Sequence, residues 1–298
     1  MKNILVVGSL NMDMVITADR MPHMGETING SGFMTVPGGK GANQALAAAR
    51  LDGNVKMLGS VGCDNFGTEL TDYLSAGGVD TSPIKKSEAN TGLAMITVCG
   101  GDNMIVLEKG ANYQLLPEDI RENTDLFIWA DYVVMQLEIP TETVAAAAKC
   151  AKDNGCTVVF NPAPVENFDG SILKWVDIIV VNEHEGGVIL NKRVNTVDDA
   201  KRLVSDFSAQ GICAVVTLGG NGAAYNDAGE VKHCPAQKAV VVDTTAAGDS
   251  FIGGMCVALG EGKSMEQAVL FATKVAAIVV SRKGAGISIP LRSELNKS

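Results

Sequence analysis

Apolar and polar positions follow two patterns along this chain, one typical of buried strands and one typical of helices, and segments with the two patterns alternate. Short apolar runs rich in β-branched residues, such as 4–7 and 157–160, are typical of strands covered on both faces. Longer alanine-rich segments, such as 41–51, have the composition of helices. The sequence therefore predicts an α/β fold, with a parallel-dominated central sheet and helices on both faces. The predicted strands are 4–7, 56–61, 132–136, 157–160, 177–181, 214–217 and a strand ending at 240–242; the predicted helices are 41–51, 66–76, 141–153, 250–259 and 265–280.

Two segments interrupt this alternation. Residues 12–37 contain alternating, partly polar strand candidates punctuated by glycine, and residues 92–107 have the pattern of a hairpin whose turn is 99–103. We expect the two segments to pair as a small second sheet that projects from a single domain spanning residues 1–298. Such a sheet would serve as a lid, as a dimer surface, or as both.

Composition narrows the class of protein. The chain has a net charge of −10 and no basic run, so a nucleic-acid-binding surface is not expected. The first apolar run is too short for a signal peptide or a membrane span. The seven cysteines show no metal-binding spacing and are interpreted as reduced thiols of a cytoplasmic protein.

The segment from Asp243 to Asp249 carries the strongest chemical signal. A predicted strand end, a run of small residues and a helix start leave backbone N–H groups unpaired, which together with the helix dipole form an anion site. Asp249 lies in the middle of that site. We interpret it as a catalytic base that takes the proton of an attacking hydroxyl during phosphoryl transfer. The alternative is an ordinary acidic residue at a helix N-terminus.

Two further segments have the residue types of a sugar site. Asn11 and Asp13 follow the first strand, at the end where open α/β sheets bind ligands, and their side chains suit vicinal hydroxyls. Residues 38–43 place three glycines around Lys40, which lets backbone approach a small ligand closely while Lys40 and Asn43 supply donors. The alternatives are an ordinary turn and a helix N-cap, respectively.

Two segments after later strands have the residue types of a nucleotide site. Asn182 is placed to face a phosphate, and Glu185, one turn later, to hold Mg²⁺ directly or through water. An acidic helix start is the alternative. The run from Thr217 to Gly222 is suited to cradle phosphates with backbone N–H groups, or it is a glycine-rich hairpin.

These motifs occur in a characteristic order. They are Asn11-x-Asp13, Gly38-Gly39-Lys40-Gly41-Ala42-Asn43, Gln136-Leu137-Glu138, Asn182-x-x-Glu185, Thr217-Leu218-Gly219 and Asp243-Thr244-Thr245-Ala246-Ala247-Gly248-Asp249. In this order they resemble the motifs of the ribokinase-like family of carbohydrate and nucleoside kinases, from Ile4 to about Pro290. The last motif is shared across that family. The segment 39–44 is narrower and resembles the members that phosphorylate ribose.

The resemblance implies roles for individual residues in an ATP-dependent phosphorylation of the 5-hydroxyl of D-ribose. Asp249 is the base. The implied anion hole consists of Ala246, Ala247 and Gly248. The implied sugar contacts are Asn11, Asp13, Gly39, Lys40, Gly41, Asn43 and Glu138. The implied nucleotide contacts are Asn182, Thr217, Leu218, Gly219, Gly220, Asn221, Gly222, Gly248 and Thr273.

The resemblance also implies metal ions and an assembly. Glu185 would support Mg²⁺, and a K⁺ ion would lie beside the anion hole. A homodimer through the small sheet is expected as well. The sequence departs from the family pattern at Ser250, where threonine is usual, and at Thr273, where histidine is frequent. The implied K⁺ positions are Asp243, Thr245, Val279, Arg282, Gly284 and Ser288.

Two alternatives remain open at this point. A kinase of the same family could act on deoxyribose, a nucleoside or a sugar phosphate. A sugar phosphate would call for extra basic residues near the lid, where residues 12–37 offer only Arg20, and a nucleoside would call for an aromatic pocket, where the same segment offers only Phe33. A sugar-binding sensor without activity is the other alternative, although it would have no need of Asp249, Gly248 and Glu185 together.

Overall fold

The computed structural model describes residues 2–100 and 102–295, and its frame is an eight-stranded sheet. The strands have three to eight residues, and those in the middle of the central sheet are the short β-branched segments of the prediction. In chain order they are β1 (Asn3–Val7), β2 (Asn11–Thr17), β3 (Ser31–Gly38), β4 (Asn54–Leu58), β5 (Ser60–Gly62), β6 (Lys85–Ser87), β7 (Gly92–Cys99), β8 (Asp102–Glu108), β9 (Tyr132–Met135), β10 (Thr157–Phe160), β11 (Ile178–Asn182), β12 (Cys213–Thr217), β13 (Ala223–Asp227) and β14 (Glu230–Cys234).

The central sheet has the strand order β14-β13-β12-β11-β10-β9-β1-β4. Neighbours from β12 to β4 are parallel, whereas β13 and β14 form an antiparallel edge. The parallel strands are mostly buried because helices cover both faces, which is why most of their positions are apolar. The predicted fold class is confirmed.

The helices divide into two layers, one on each face of the central sheet. The layer formed by the first two and the last two helices shares one apolar core with the sheet, and the intervening helices share the other. No helix among residues 2–100 and 102–295 has the length and apolar character needed to span a bilayer. The helices are α1 (Lys40–Arg50), α2 (Asn65–Ala76), α3 (Pro117–Glu122), α4 (Thr124–Trp129), α5 (Thr141–Asp153), α6 (Glu183–Leu190), α7 (Val197–Ser208), α8 (Ala247–Gly260) and α9 (Met265–Val280).

Helices α1 and α8 lie against each other at a glycine. An ideal Cβ on Gly253 would lie 2.7 Å from the Cβ of Ala47 and 2.8 Å from the carbonyl oxygen of Gln44. Only a residue without a side chain permits this distance. The contact brings the first turns of the two helices side by side.

A four-stranded second sheet has the order β3-β2-β7-β8. Strand β2 pairs antiparallel with β3 and parallel with β7, and β7 pairs antiparallel with β8. The predicted pairing of 12–37 with 92–107 is therefore confirmed. Cys99 pairs with Asp102 at the hairpin turn, and Gly101, which belongs to the predicted turn, lies outside the described residues.

One predicted strand is in fact two strands. The prediction of a single strand over 56–61 is wrong, because the chain leaves the central sheet at Gly59 and continues as β5, which pairs with β6. An ideal Cβ on Gly59 would lie 2.8 Å from the carbonyl oxygen of Gly8, so the crossing requires glycine. An apolar run alone did not reveal this change of sheet.

The predicted strand at 240–242 is also wrong. Val240, Val241 and Val242 are 80%, 65% and 57% exposed and belong to an irregular segment that follows the last strand of the sheet. The backbone N–H of Val242 donates to the carbonyl oxygen of Val280 at the end of α9, not to a strand. A β-branched run expresses a preference for extended backbone, but a strand also needs a partner.

Candidate active site

Polar side chains collect at one edge of the central sheet, where the parallel strands end. Because parallel strands present their carboxyl ends at the same edge, residues far apart in sequence meet there. Ser9 follows β1, Glu138 follows β9 and Asn161 follows β10, while Asn182 and Thr217 are the last residues of β11 and β12. The predicted positions after β1, β9, β11 and β12 are thus brought to one edge.

The carboxylate of Glu138 joins three segments of this edge. Its Oε2 accepts hydrogen bonds from the hydroxyl of Ser9 at 2.6 Å, from the backbone N–H of Lys40 at 3.1 Å and from the amide of Asn11 at 3.4 Å. Lys40 is the first residue of α1, where unpaired N–H groups and the helix dipole favour a negative charge. Glu138 therefore fixes the start of α1 relative to β1 and β2.

Asn11 is held by a buried residue that the sequence did not indicate. The amide of Asn112 donates to Oδ1 of Asn11 at 2.7 Å and to the carbonyl oxygen of Leu10 at 3.1 Å, and its own oxygen accepts the N–H of Leu10 at 2.9 Å. Gly92 leaves room for this pair, since an ideal Cβ there would lie 2.3 Å from Oδ1 of Asn11. Asn112 thereby sets the orientation of the Asn11 amide.

The glycines of the lysine loop are explained by close packing within the protein, against backbone at Gly39 and Gly41 and against the Asp13 side chain at Gly38. Gly39 has φ 94°, and an ideal Cβ on it would lie 2.8 Å from the backbone nitrogen of Asn11. An ideal Cβ on Gly41 would lie 2.6 Å from the backbone nitrogen of Ser9. One at Gly38 would lie 2.4 Å from Oδ2 of Asp13. The glycines thus allow α1 to start against the turn after β1, which delivers Lys40 and Asn43 to the site.

The charged groups of the site influence each other strongly. Burial, together with the charges of Glu138 and Asp249, raises the pKa of Asp13 to about 7. Burial alone would lower the pKa of Lys40, but the surrounding carboxylates, Asp249 first among them, outweigh burial and raise that pKa. The site therefore combines one cationic side chain with several acidic ones.

The N-terminus of α8 has the geometry of an anion site. Ala246 adopts a left-handed conformation with φ 60°, and the helix begins at Ala247. The N–H of Ala247 donates to the carbonyl oxygen of Thr244 at 3.2 Å. In the described part of the chain, the N–H groups of Gly248 and Asp249 have no acceptor. These two donors point out of the first turn and are free to bind an anion.

The carboxylate of Asp249 is held from one side by amides of α1. Its Oδ1 accepts from Nε2 of Gln44 at 3.0 Å, and its Oδ2 accepts from Nδ2 of Asn43 at 3.3 Å. Both amides belong to the first five residues of α1, which lies beside α8. Asp249 is half-buried, so its carboxylate faces both this support and the open edge of the sheet.

Asn182 and Glu185 form a reciprocal cap at the start of α6. The N–H of Asn182 donates to Oε2 of Glu185 at 2.9 Å, and Oδ1 of Asn182 accepts the N–H of Glu185 at 2.8 Å. Burial raises the pKa of the Glu185 carboxyl, although the hydrogen bond from Asn182 and the charge of Lys40 oppose that rise. Oε1 of Glu185 has no hydrogen bond within residues 2–100 and 102–295. Oε2 of Glu185 thus caps the helix, and Oε1 is available to a ligand.

The glycine-rich segment after β12 forms a turn that leads into β13. Thr217 pairs with Asn182 across β11 and β12, which places the turn beside the start of α6. No atom lies within 4 Å of an ideal Cβ on Gly219 or Gly220, whereas one on Gly222 would lie 2.0 Å from the carbonyl oxygen of Cys234. Gly222 is therefore required by the hairpin, and Gly219 and Gly220 face open space.

Thr273 is placed differently from the other candidate nucleotide residues. It is 6% exposed, and its hydroxyl donates to the carbonyl oxygen of Val269 in α9 at 2.8 Å. The thiol of Cys234 lies 3.9 Å from the same hydroxyl. The side chain thus hydrogen-bonds inside the helix layer.

The candidate cation residues come from two segments that the structure joins. Oδ2 of Asp243 accepts the N–H of Gly284 at 2.9 Å, and Oδ1 accepts the N–H of Thr245 at 2.9 Å. Burial would raise the pKa of Asp243, but these hydrogen bonds outweigh it and lower that pKa. Arg282 donates to the carbonyl oxygen of Ser288 at 3.4 Å. The carboxylate of Asp243 thus joins the segment that precedes α8 to the segment that follows α9.

Two residues of the site, Ser9 and Asn161, were missed from the sequence although a simple rule identifies them, and Gln136 was named only as part of the motif 136–138, without a role. All three follow a parallel strand directly or within one residue. The rule that ligands bind at carboxyl ends of strands applies to them equally. Gln44 has a weaker signal, a polar residue in an alanine-rich helix.

A model of the pfkB family of carbohydrate kinases matches residues 1–292. The ribokinase of Schizosaccharomyces pombe is 40% identical over 311 residues, covering 100% of this chain and 98% of the relative. The deoxyribokinase of Salmonella typhi is 34% identical over 299 residues, covering 99% of this chain and 98% of the relative.

Among solved structures, the Arabidopsis thaliana ribokinase complexed with ribose and ATP superposes with a TM-score of 0.93. The two sequences are 31% identical, and the match covers 99% of this chain and 98% of that one. The likeness thus extends over essentially the whole fold, including the small sheet.

Proposed function

The chain belongs to the pfkB family of carbohydrate kinases, and we propose that it transfers the terminal phosphoryl group of ATP to the 5-hydroxyl of D-ribose. The position of Asp249 carries this proposal. Its carboxylate lies in the first turn of α8, beside the unpaired N–H groups of Gly248 and Asp249. A base and an anion site in one turn are what phosphoryl transfer to a hydroxyl requires.

Asp249 acts as the base in this mechanism. The acceptor hydroxyl lies against its carboxylate, loses its proton to it and attacks the terminal phosphorus in line with the leaving oxygen. The N–H groups at the start of α8 stabilise the charge on the transferred group, and the helix dipole adds to this effect. Ala246 and Ala247 shape the turn that aims those N–H groups.

The sugar is proposed to lie between β2 and the start of α1. Asp13 and Asn11 form hydrogen bonds with vicinal hydroxyls, since carboxylate and amide groups each offer two polar atoms. Glu138 and Lys40 complete the polar wall, and Asn43 reaches the acceptor side. Gly39 and Gly41 contribute backbone atoms. The small sheet, whose β2 carries Asp13, closes over the sugar and excludes water.

The nucleotide is proposed to lie on the other side of α8. Asn182 faces its phosphates, and Gly219 and Gly220 present backbone where no protein atom fills the space beside their Cα atoms. Thr217, Leu218, Asn221 and Gly222 shape that turn. Thr273 supports the proposed nucleotide site only indirectly, through the packing of α9.

Glu185 fits Mg²⁺. The ion is usually held by one or two carboxylates together with substrate phosphates, and Oε1 of Glu185 is such an oxygen. Mg²⁺, when bound, would neutralise charge on the phosphates. K⁺ suits carbonyl oxygens and a carboxylate, and the positions proposed to hold it are Asp243, Thr245, Val279, Arg282, Gly284 and Ser288.

Product analysis tests the proposal directly. ADP release with Mg-ATP is measured against ribose, 2-deoxyribose, adenosine and fructose 6-phosphate, with K⁺ or with tetramethylammonium in its place. Ribose-dependent turnover that K⁺ stimulates is expected, and the phosphorylated carbon is identified by ³¹P–¹H correlation. A preference for 2-deoxyribose, which the deoxyribokinase relative makes a specific alternative, would keep Asp249 as base and change the acceptor. Binding of ribose without turnover would favour a sensor.

Gly248→Ala is expected to separate catalysis from folding. No atom lies within 4 Å of an ideal Cβ at this position, so a methyl group meets open space, and alanine favours helix by about 0.5–1 kcal/mol. The methyl group would enter the space proposed for the transferred phosphoryl group. We expect an unchanged or higher melting temperature and a loss in kcat of roughly tenfold or more.

Gly253→Ala is the matched control for this prediction. In the same helix, its Cβ would lie 2.7 Å from Ala47, so this variant should lose stability. Normal turnover by Gly248→Ala would argue against a phosphoryl group at the start of α8.

A homodimer through the small sheet is also proposed. Strand β8 exposes Met104, Ile105, Val106 and Leu107, each between 47% and 66% exposed, and neighbouring β7 exposes Met95. Met95 pairs with Val106 in the register of β7 and β8, so these two side chains lie on one face of the small sheet, and exposed apolar surface of this kind is typical of an interface. A second copy of the chain would cover it.

Val106→Asp is expected to produce a monomer in sedimentation velocity, because it places a charge in this apolar surface. Val188→Asp, at an equally apolar exposed position on α6, is the control and should leave the mass unchanged. A wild-type monomer at micromolar concentration would contradict the proposed dimer.

A further inference from the structure

Three buried amide side chains lie behind the proposed base. Gln44, Gln136 and Asn161 are 1%, 0% and 7% exposed. Gln136 follows β9 and Asn161 follows β10, two adjacent parallel strands, and Gln44 reaches them from the first five residues of α1. Buried amides are costly unless they are hydrogen-bonded, so their arrangement requires an explanation.

The hydrogen bonds of these amides determine each other. Nε2 of Gln136 donates to Oε1 of Gln44 at 2.6 Å. Nε2 of Gln44 therefore points the other way, where it donates to Oδ1 of Asp249 at 3.0 Å and to Oδ1 of Asn161 at 3.4 Å. The amide of Asn161 donates to the carbonyl oxygen of Val180 at 3.0 Å, which turns its own oxygen towards Gln44. Each amide thus fixes the orientation of the next.

One atom of the series remains without a partner in the described structure. Oε1 of Gln136 is buried and has no hydrogen bond. It lies over Gly8, where an ideal Cβ would be 2.0 Å away. An unpaired buried oxygen costs roughly 1–3 kcal/mol. If the Gln136 amide rotated, its oxygen would face Oε1 of Gln44, and two acceptors cannot form a hydrogen bond. The Gln44 amide would then have to rotate as well, which would turn its oxygen towards the Asp249 carboxylate. The orientation in which Nε2 of Gln136 donates to Gln44 thus keeps a donor directed at Asp249, at the cost of the unpaired oxygen.

We propose that Gln44, oriented by Gln136, is a positioning residue that holds Oδ1 of Asp249 and leaves Oδ2 to take the proton of the acceptor hydroxyl. The proposal rests on Asp249 being the base. Oδ2 makes only the longer contact with Asn43, at 3.3 Å. A carboxylate that is held by one oxygen keeps its other oxygen in a fixed direction. This fixed direction favours proton transfer from the acceptor hydroxyl more than it favours binding of the acceptor, so it affects kcat more than KM.

The charges around Asp249 limit what else could hold it. Lys40 attracts it, while Asp13 and Glu185 lie near enough to interact with it unfavourably. Within residues 2–100 and 102–295, no cationic group forms an ion pair with Asp249. Neutral amide donors therefore hold the carboxylate in place.

Three variants test the positioning role, each assayed with the acceptor that the wild-type enzyme uses best. Gln44→Met keeps the length of the side chain without its hydrogen bonds, and Gln136→Met removes the donor that orients Gln44. For both we expect kcat to fall roughly 10- to 100-fold, with the KM values for acceptor and ATP within about threefold. Gln44→Glu sets a second carboxyl against Asp249. We expect it to move the acid limb of the kcat–pH profile upward by at least one unit, because two adjacent carboxyls share a proton.

Thr143→Val is the matched control. Thr143 is fully buried and donates to the carbonyl oxygen of Leu115 on the opposite layer, away from the site. This variant also loses a buried hydrogen bond, and its kcat and pH profile should match those of the wild type. Circular dichroism and melting temperature confirm that each variant folds, and Gln44→Glu, nearly identical in shape to the native side chain, covers the case in which Gln44→Met does not.

The outcomes distinguish the positioning role from the base itself. Folded Gln44→Met and Gln136→Met with kcat within twofold of the wild type would overturn the positioning role. A parallel Asp249→Asn variant that lost activity would then leave the base in place. Retained activity in Asp249→Asn would overturn both.

Discussion

Asp249→Asn is expected to lower kcat by roughly 10²–10⁴, with a modest change in the KM for ribose. Asparagine has nearly the same shape and can still accept a hydrogen bond from Gln44, but it cannot remove a proton from the acceptor hydroxyl. The binding surfaces for sugar and nucleotide stay in place because the side chain lies in the first turn of α8. Steady-state kinetics with ribose and ATP measure the effect.

A control addresses the ordinary explanation for a carboxylate in this position. Asp198 also lies in the first turn of a helix, α7, with its side chain 77% exposed. Both residues interact with a helix dipole, which is worth about 0.3–1 kcal/mol. Asp198→Asn should therefore show a similar small effect on stability and full activity. If Asp249→Asn behaved in the same way, Asp249 would be only a helix N-terminal acid.

Asp13→Asn is expected to raise the KM for ribose about 10- to 100-fold and to stabilise the protein without substrate. A charge-assisted hydrogen bond contributes about 1.5–3 kcal/mol, and a tenfold change in binding corresponds to about 1.4 kcal/mol. The stabilisation has a different origin. Burial and the charges of Glu138 and Asp249 raise the pKa of Asp13 to about 7 in the folded protein, so its ionised form is disfavoured there.

The sign of the pH dependence follows from that shift. Between the ordinary pKa of 3.8 and the folded value of about 7, the folded state binds the proton more tightly than the unfolded state. The contribution of Asp13 to stability therefore becomes less favourable as pH rises through this window, and is least favourable above about pH 7. One pKa unit corresponds to about 1.4 kcal/mol, which sets an upper limit of about 4 kcal/mol.

Melting temperatures at pH 5 and pH 8 check this expectation. Asp13→Asn should melt higher than the wild type at pH 8, and the difference should shrink at pH 5. The acid limb near pH 7 in kcat/KM for ribose should also disappear, because ionised Asp13 is the better acceptor. Asp19→Asn, the same change at an exposed position after β2, should alter neither property. A difference in melting temperature that did not depend on pH would show that folding does not raise the pKa of Asp13.

The elements of secondary structure were largely determined by the sequence. The helices 141–153 and 265–280 and the strand 157–160 have the predicted bounds, because the local spacing of apolar residues indicates a helix or a buried strand directly. The start of α8 was also predictable, since a run of small residues before a helix leaves N–H groups at the helix start unpaired whatever surrounds them. The same local pattern indicated Asp249 as the central residue of the site.

Tertiary structure decided which residues hold these groups in place. Asn112 and Asn11 are separated by 101 positions, and Gln44 and Asp249 by 205, so no local pattern links them. The conformation of Val240–242 was likewise decided elsewhere, because this run does not pair with β14 at the edge of the central sheet, and the N–H of Val242 bonds to the end of α9 instead. The glycines of 38–41 show the same limit. Their number was evident in the sequence, but the atoms they accommodate belong to the turn after β1 and, at Gly38, to the side chain of Asp13.

The ionisation of Asp13 depends most completely on the fold. Its carboxyl comes from the small sheet, whereas Glu138 and Asp249 come from the central sheet and from α8. A pKa responds to burial and to neighbouring charges in space, and these exist only once the three elements have been brought together. The sequence thus determined which chemical groups are available and on which elements they lie. Packing determined their distances, their orientation and their charge, because those depend on atoms that are remote along the chain.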